Sequence, residues 1–168
     1  MHTAFTEAWT AFVQALSFTG RHYLVVAGFG ILVSAQRFLS VGGEERFAWA
    51  GGIAGEAFTT AVRLLFVLWL VRTLFTGSQV PWSQVWPRVT RFAEAHTGML
   101  LASAVLLVAL TLVAKVLPAV VAGTLAADAQ ASFAAWELAV KNVTVIPFTL
   151  VWMTTIVHIA TTARVPTS

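Results

Sequence analysis

The chain has no cysteine, a single tyrosine, and only ten Lys or Arg and seven Asp or Glu among 168 residues. Without cysteine, disulfides, thiolate metal sites and cysteine nucleophiles are all excluded. A charged fraction of 10% lies far below the roughly 25% of soluble domains, so a water-exposed globular surface cannot be built from this composition. The bases outnumber the acids and set a pI near 10.2. They are scattered between apolar runs instead of gathered into a stripe, which argues against nucleic-acid binding.

Catalytic signatures are missing too. The chain has no HExxH, no GxSxG elbow, no Walker A loop and no GxGxxG ahead of a helix, so no catalytic residue is assigned. No two histidines fall at i and i+4, and none has an acid at ligand spacing, so no metal site is assigned either. The first residues lack a basic segment followed by a cleavage site, and insertion by internal helices is expected.

What the chain does have is apolar length. Hydrophobic residues make up 58%, and the mean hydropathy is +0.83. The stretch Gly51 to Phe75 is long enough to cross a bilayer, yet it holds Glu56 and Arg63. At helical spacing Gly52, Glu56, Thr59 and Arg63 form one stripe, which aims Arg63 back toward Glu56 two turns away. Arg63 must snorkel, find a counter-ion or face protein, because a guanidinium near mid-bilayer costs about 2.5 to 3.5 kcal/mol. Gly51 and Gly55 add a small-xxx-small pair that allows close helix contact.

Around this stretch the pattern resolves into further helices. Residues 3–18 place Phe5, Trp9, Phe12, Val13 and Leu16 on one face, as in a helix lying in the membrane interface. Gly20, Arg21 and His22 break that pattern. The charge-free run from His22 to Gln36 makes only about 22 Å of helix, so it is either a short span with Arg21 and Arg37 snorkelling or a re-entrant hairpin. The segment 40–52 suits an exposed connection. In 81–95, Trp82, Val85, Trp86, Val89, Phe92 and Ala93 share a face, which predicts a second surface helix kinked or begun at Pro87. Thr97 to Ala114 is free of charge, and the apolar run beyond it should break or bend near Pro118 and Gly123. Asp128 to Lys141 is milder, with Glu137 and Lys141 placed for an i, i+4 pair. Asn142 to Ala163 supplies the last span.

These segments predict an all-α integral membrane protein, a single domain over 1–168. It has four transmembrane helices at 22–40, 53–74, 97–117 and 142–163, plus two amphipathic interfacial helices at 3–18 and 81–95. Arg21, Arg72, Arg88, Arg91 and Arg164 fall on one side, against Arg37, Arg46 and Lys141 on the other, which places both termini in the cytoplasm. The heavy use of Ala, Val, Thr and Arg points to a bacterial cytoplasmic (inner) membrane.

Two groups of residues could carry function. Glu56, Arg63, Lys115, Glu137 and Lys141 are expected to form an intramembrane polar cluster, since opposed charges in low dielectric are costly when unpaired. Lys115 alone could instead reach the headgroups. His22, His96 and His158 map near span ends, and His158, in an otherwise uncharged span, is a candidate ligand for a haem or pigment or else a hydrogen-bond partner of a neighbouring helix. The composition then suits a non-catalytic membrane subunit that packs with and stabilises or docks onto a larger complex. Its expected partners are the lipid bilayer and other membrane subunits or further copies of itself. A transporter or channel component using the intramembrane charges, and a cofactor-binding subunit, are the alternatives.

Overall fold

The computed structural model describes residues 2–42, 47–78 and 80–163, and the described residues are all-helical. Eight helices run through them: α1 (His2–Arg21), α2 (Tyr23–Gly42), α3 (Ala48–Gly51), α4 (Ile53–Leu74), α5 (Trp82–Ala95), α6 (Thr97–Gly123), α7 (Ala127–Val143) and α8 (Val145–Thr162). Four stretches are long and apolar enough to cross a membrane: Tyr23–Ser40, Ile53–Leu74, Thr97–Gly123 and Ser132–Thr162. The last runs across the α7–α8 junction.

Two interrupted helices form the backbone of the fold. α1 passes into α2 at His22, whose N–H still bonds to the Phe18 carbonyl at 3.0 Å. α7 passes into α8 at Thr144, where φ −117° and ψ −75° depart from the helix. Pro147 lies three residues further on, and its missing N–H and the clash of its ring with the preceding turn account for a break at that point. α2 and α7 are antiparallel. Gly30 meets the backbone of Asn142 and Val143, the Ser34 hydroxyl donates to the Ala139 carbonyl at 3.1 Å, and the Phe38 ring meets Trp136 edge-on at 5.5 Å. A Cβ at Gly30 would sit 2.6 Å from the Val143 Cα, so the absence of a side chain sets this approach.

α4 runs antiparallel to α2 with Phe66 against Phe29, ring centroids 5.1 Å apart. Its buried stripe of Gly55, Thr59, Val62, Phe66 and Leu70 recurs at three and four residues, as a helix packed on one side requires. Ala15, Phe18, Val26, Phe66, Leu70, Val151 and Trp152 make the central core, joining α1, α2, α4 and α8. A second core of Ala8, Ala11, Phe92, Met99 and Ala160 joins α1, α5, α6 and α8.

Several helices depart from the sequence pattern. α1 does not lie apart from the bundle: Ala8, Ala11 and Ala15 are fully buried between α6 and α8, while Phe5, Trp9, Val13 and Leu16 are exposed. Small side chains let helix axes approach closely, so the alanines are the packing face and the large apolar residues face outward. α2 is one uninterrupted helix of 20 residues that continues through Arg37, about 30 Å long and without a re-entrant turn. α6 runs 27 residues with Pro118 inside it. The expected break falls only at its end, where the Thr124 N–H bonds to the Val121 carbonyl at 3.0 Å. α5 matches the expected helix in extent, Trp82–Ala95, and carries Pro87 inside it instead of beginning there. The connection after α2 contains the helical turn α3, whose Ala50 is buried. Arg46 and Arg164, which entered the charge balance, lie outside the described residues.

Candidate functional site

The five residues of the expected polar cluster fall into three separate settings. Glu56 opens the first, because its carboxylate lies 2.9 Å from Arg37 Nη1, which ties α4 to α2. One turn inward, the Gln36 amide donates to the Ala50 carbonyl and its oxygen accepts from the Thr59 hydroxyl at 3.0 Å. Gln36 and Thr59 are both buried, and this satisfied network fixes α2, α3 and α4 to one another. Gly55 makes room for it, since a Cβ there would sit 2.7 Å from Gln36 Nε2. Gly51, the other half of the expected small-residue pair, has only Ser40 nearby, at 3.8 Å.

The second setting lies between α6 and the α7–α8 junction. Glu137 and Lys141 form the i, i+4 ion pair on α7, both side chains about a quarter exposed. Lys115 joins Lys141 in lining a groove of about 460 Å³ with Val145, Ile146 and Thr149. Lys115 itself has no hydrogen bond or ion pair among the described residues.

Arg63 stands alone in the third. It is the eleventh of the 22 residues of α4 and is exposed, with no hydrogen bond or ion pair among the described residues. It borders a void of about 20 Å³ shared with Gly30, Asn142 and Pro147. Asn142 is buried there with its Nδ2 unpartnered. A void of that size holds one water molecule, enough to serve Asn142 but not to neutralise a guanidinium.

Three of the four histidines, His22, His96 and His158, sit in separate aromatic settings. His22 packs on Phe18 at 4.5 Å and Trp69 at 5.6 Å. His96 stacks on Phe92 at 4.3 Å, with its Nδ1 3.2 Å from a Glu7 carboxylate oxygen. His158 meets Phe75 edge-on at 5.1 Å, and its Nδ1 is buried without a hydrogen-bond partner among the described residues. That free nitrogen is the feature a ligand role would need. Among the described residues no three His, Asp or Glu gather as metal ligands.

Contacts between distant helices escaped the sequence pattern. Glu7 with His96 and Arg37 with Glu56 join residues far apart in the chain, and no spacing rule pairs them. Arg88 Nη1 donates to the Thr161 carbonyl at 2.9 Å, satisfying one of the open carbonyls at the end of α8. Glu7 and His96 also line a groove of about 620 Å³ with Thr3, Thr10 and Gln14. The threonines of α8 bond back to their own helix, Thr154 to Leu150 O at 2.7 Å and Thr155 to Val151 O at 2.8 Å. This back-bonding lets hydroxyls sit in an apolar helix at little cost.

Compared with protein-family models, curated proteins and solved structures, the chain matches none.

Proposed function

We propose that this chain is a non-catalytic integral membrane subunit that docks, through the face of α4 around Arg63, onto a membrane partner carrying a carboxylate in a span. The observation that carries this reading is Arg63 itself: mid-helix, exposed and unpartnered among the described residues. Glu56, the acid on its own helix, is engaged by Arg37. The ends of α4 lie about 16 Å away along the helix axis, a long reach even for a snorkelling arginine. A guanidinium left so costs about 2.5 to 3.5 kcal/mol, which a partner's Asp or Glu offsets. Thr60 and Leu64, also exposed, extend the same face.

In this reading the four apolar stretches cross a bacterial cytoplasmic membrane with both termini in the cytoplasm. α5 rests on that surface, with Trp82 and Trp86 exposed at headgroup depth.

A photo-crosslinking residue at Thr60, followed by mass spectrometry of the adduct, tests the proposal. The expected product is an apolar peptide containing Asp or Glu, from another protein or from a second copy, and Arg63→Leu should abolish it. Lipid adducts alone, or protein adducts unchanged by Arg63→Leu, would overturn the reading.

One observation favours a second reading as a transporter or channel component. Two interrupted helices, α1–α2 and α7–α8, pack side by side, and interrupted spans recur where transporters hold their substrates. An ion or solute flux assay on the purified protein in vesicles, with Arg63→Leu as comparison, tests it, and an absence of flux in both proteins counts against it.

A further inference from the structure

The groove between α6 and the α7–α8 junction has the make-up of a headgroup site. Its volume is about 460 Å³, and it holds two ammonium groups, Lys115 and Lys141. One carboxylate, Glu137, answers Lys141, so the pair of lysines leaves one positive charge over. The remaining lining, including Val145, Ile146 and Leu150, is apolar except for two threonines. Thr111 and Thr149 spend their hydroxyl protons on Leu107 O and Val145 O, at 2.8 and 2.9 Å. Only the lysines are then left to donate to an incoming group, and what they select is an anion.

The wall identifies the kind of anion: Val145, Ile146 and Leu150 beside the two lysines suit an anionic group that carries a hydrocarbon tail. Leading away from the groove, α6 exposes Val105, Val108 and Leu112, an apolar track on which an acyl chain can lie.

We propose that this groove binds one acidic glycerophospholipid, with Lys115 and Lys141 holding its phosphate and the outer face of α6 taking an acyl chain. Basic pockets between membrane helices hold anionic headgroups through the same combination of fixed ammonium groups and an apolar wall. The proposal does not depend on Arg63, which borders a different cavity.

The test is native mass spectrometry of the detergent-purified full chain titrated with phosphatidylglycerol, with phosphatidylcholine, or with inorganic phosphate. Phosphatidylglycerol should be retained well above phosphatidylcholine, and Lys115→Met should lower that retention about five-fold, the worth of one base near an anionic surface. Lys115→Arg should retain it, and Arg72→Met, at the other end of α4, should leave it unchanged. Equal retention of the two lipids, or an equal loss in Lys115→Met and Arg72→Met, would overturn the proposal. Displacement of phosphatidylglycerol by inorganic phosphate alone would also overturn it, by reducing the site to one for a free anion. Thermal unfolding of each variant in phosphatidylcholine separates lost binding from lost fold, and Lys115→Arg serves as the folded control.

Discussion

Arg37 Nη1 lies 2.9 Å from the Glu56 carboxylate, and this ion pair closes the end of the bundle where α2, α3 and α4 meet. The side chains are 32% and 58% exposed, so their coupling should be modest, about 0.2 to 1 kcal/mol in a double-mutant cycle of Arg37→Met and Glu56→Gln. Unfolding in detergent read by circular dichroism measures it, and a coupling indistinguishable from zero would show that the contact does not hold the helices together.

Gly28 and Gly30 of α2 should respond oppositely to alanine. At Gly30 the new Cβ meets the backbone of Asn142 and Val143, and forcing that contact should cost about 1 to 3 kcal/mol. At Gly28 nothing lies within 4 Å, and alanine should stabilise the helix by about 0.5 to 1 kcal/mol. Equal effects at the two positions would mean that α2 and α7 are not packed through Gly30.

Buried polar groups make Thr59→Val informative. The change keeps the shape but removes the hydroxyl that donates to Gln36 Oε1, and an acceptor left buried without its donor costs about 1 to 3 kcal/mol. Thr60→Val, one residue along and exposed, should be nearly neutral by the same unfolding measurement.

Arg88 holds α5 against the end of α8 through the Thr161 carbonyl. Arg88→Met should increase amide hydrogen exchange over α5 and the last turn of α8 while leaving α2 and α4 unchanged. Arg91→Met, whose guanidinium bonds among the described residues only to Pro87 O of its own helix, is the control expected to leave exchange as it is.

The alanine face of α1 sets the tightest packing. Ala11→Leu should unfold or dissociate the bundle, because Ala11 is fully buried and overpacking at such a contact is strongly destabilising. Leu16→Ala, on the exposed face, should be tolerated in detergent. A folded Ala11→Leu protein, by size-exclusion profile and circular dichroism, would contradict this placement of α1.

Composition and periodicity alone determined the class of this protein. Four apolar stretches with few charges can only be helices long enough to cross a membrane, and the Glu137–Lys141 pair and the threonine back-bonds of α8 follow from i, i+4 geometry within one helix. Everything that joins one helix to another was decided by the tertiary structure. The stripe of Glu56, Thr59 and Arg63 is visible in the sequence, but only the packing sends Glu56 to Arg37 and Thr59 to Gln36 and leaves Arg63 without a partner among the described residues. The small-residue face of α1 was hidden behind its larger apolar residues, because hydrophobicity marks what avoids water and says nothing of which side meets protein and which meets lipid. Gly30 and Gly28 look alike in the chain, and what separates them is the backbone of Asn142 and Val143, brought more than a hundred residues along the chain by the fold.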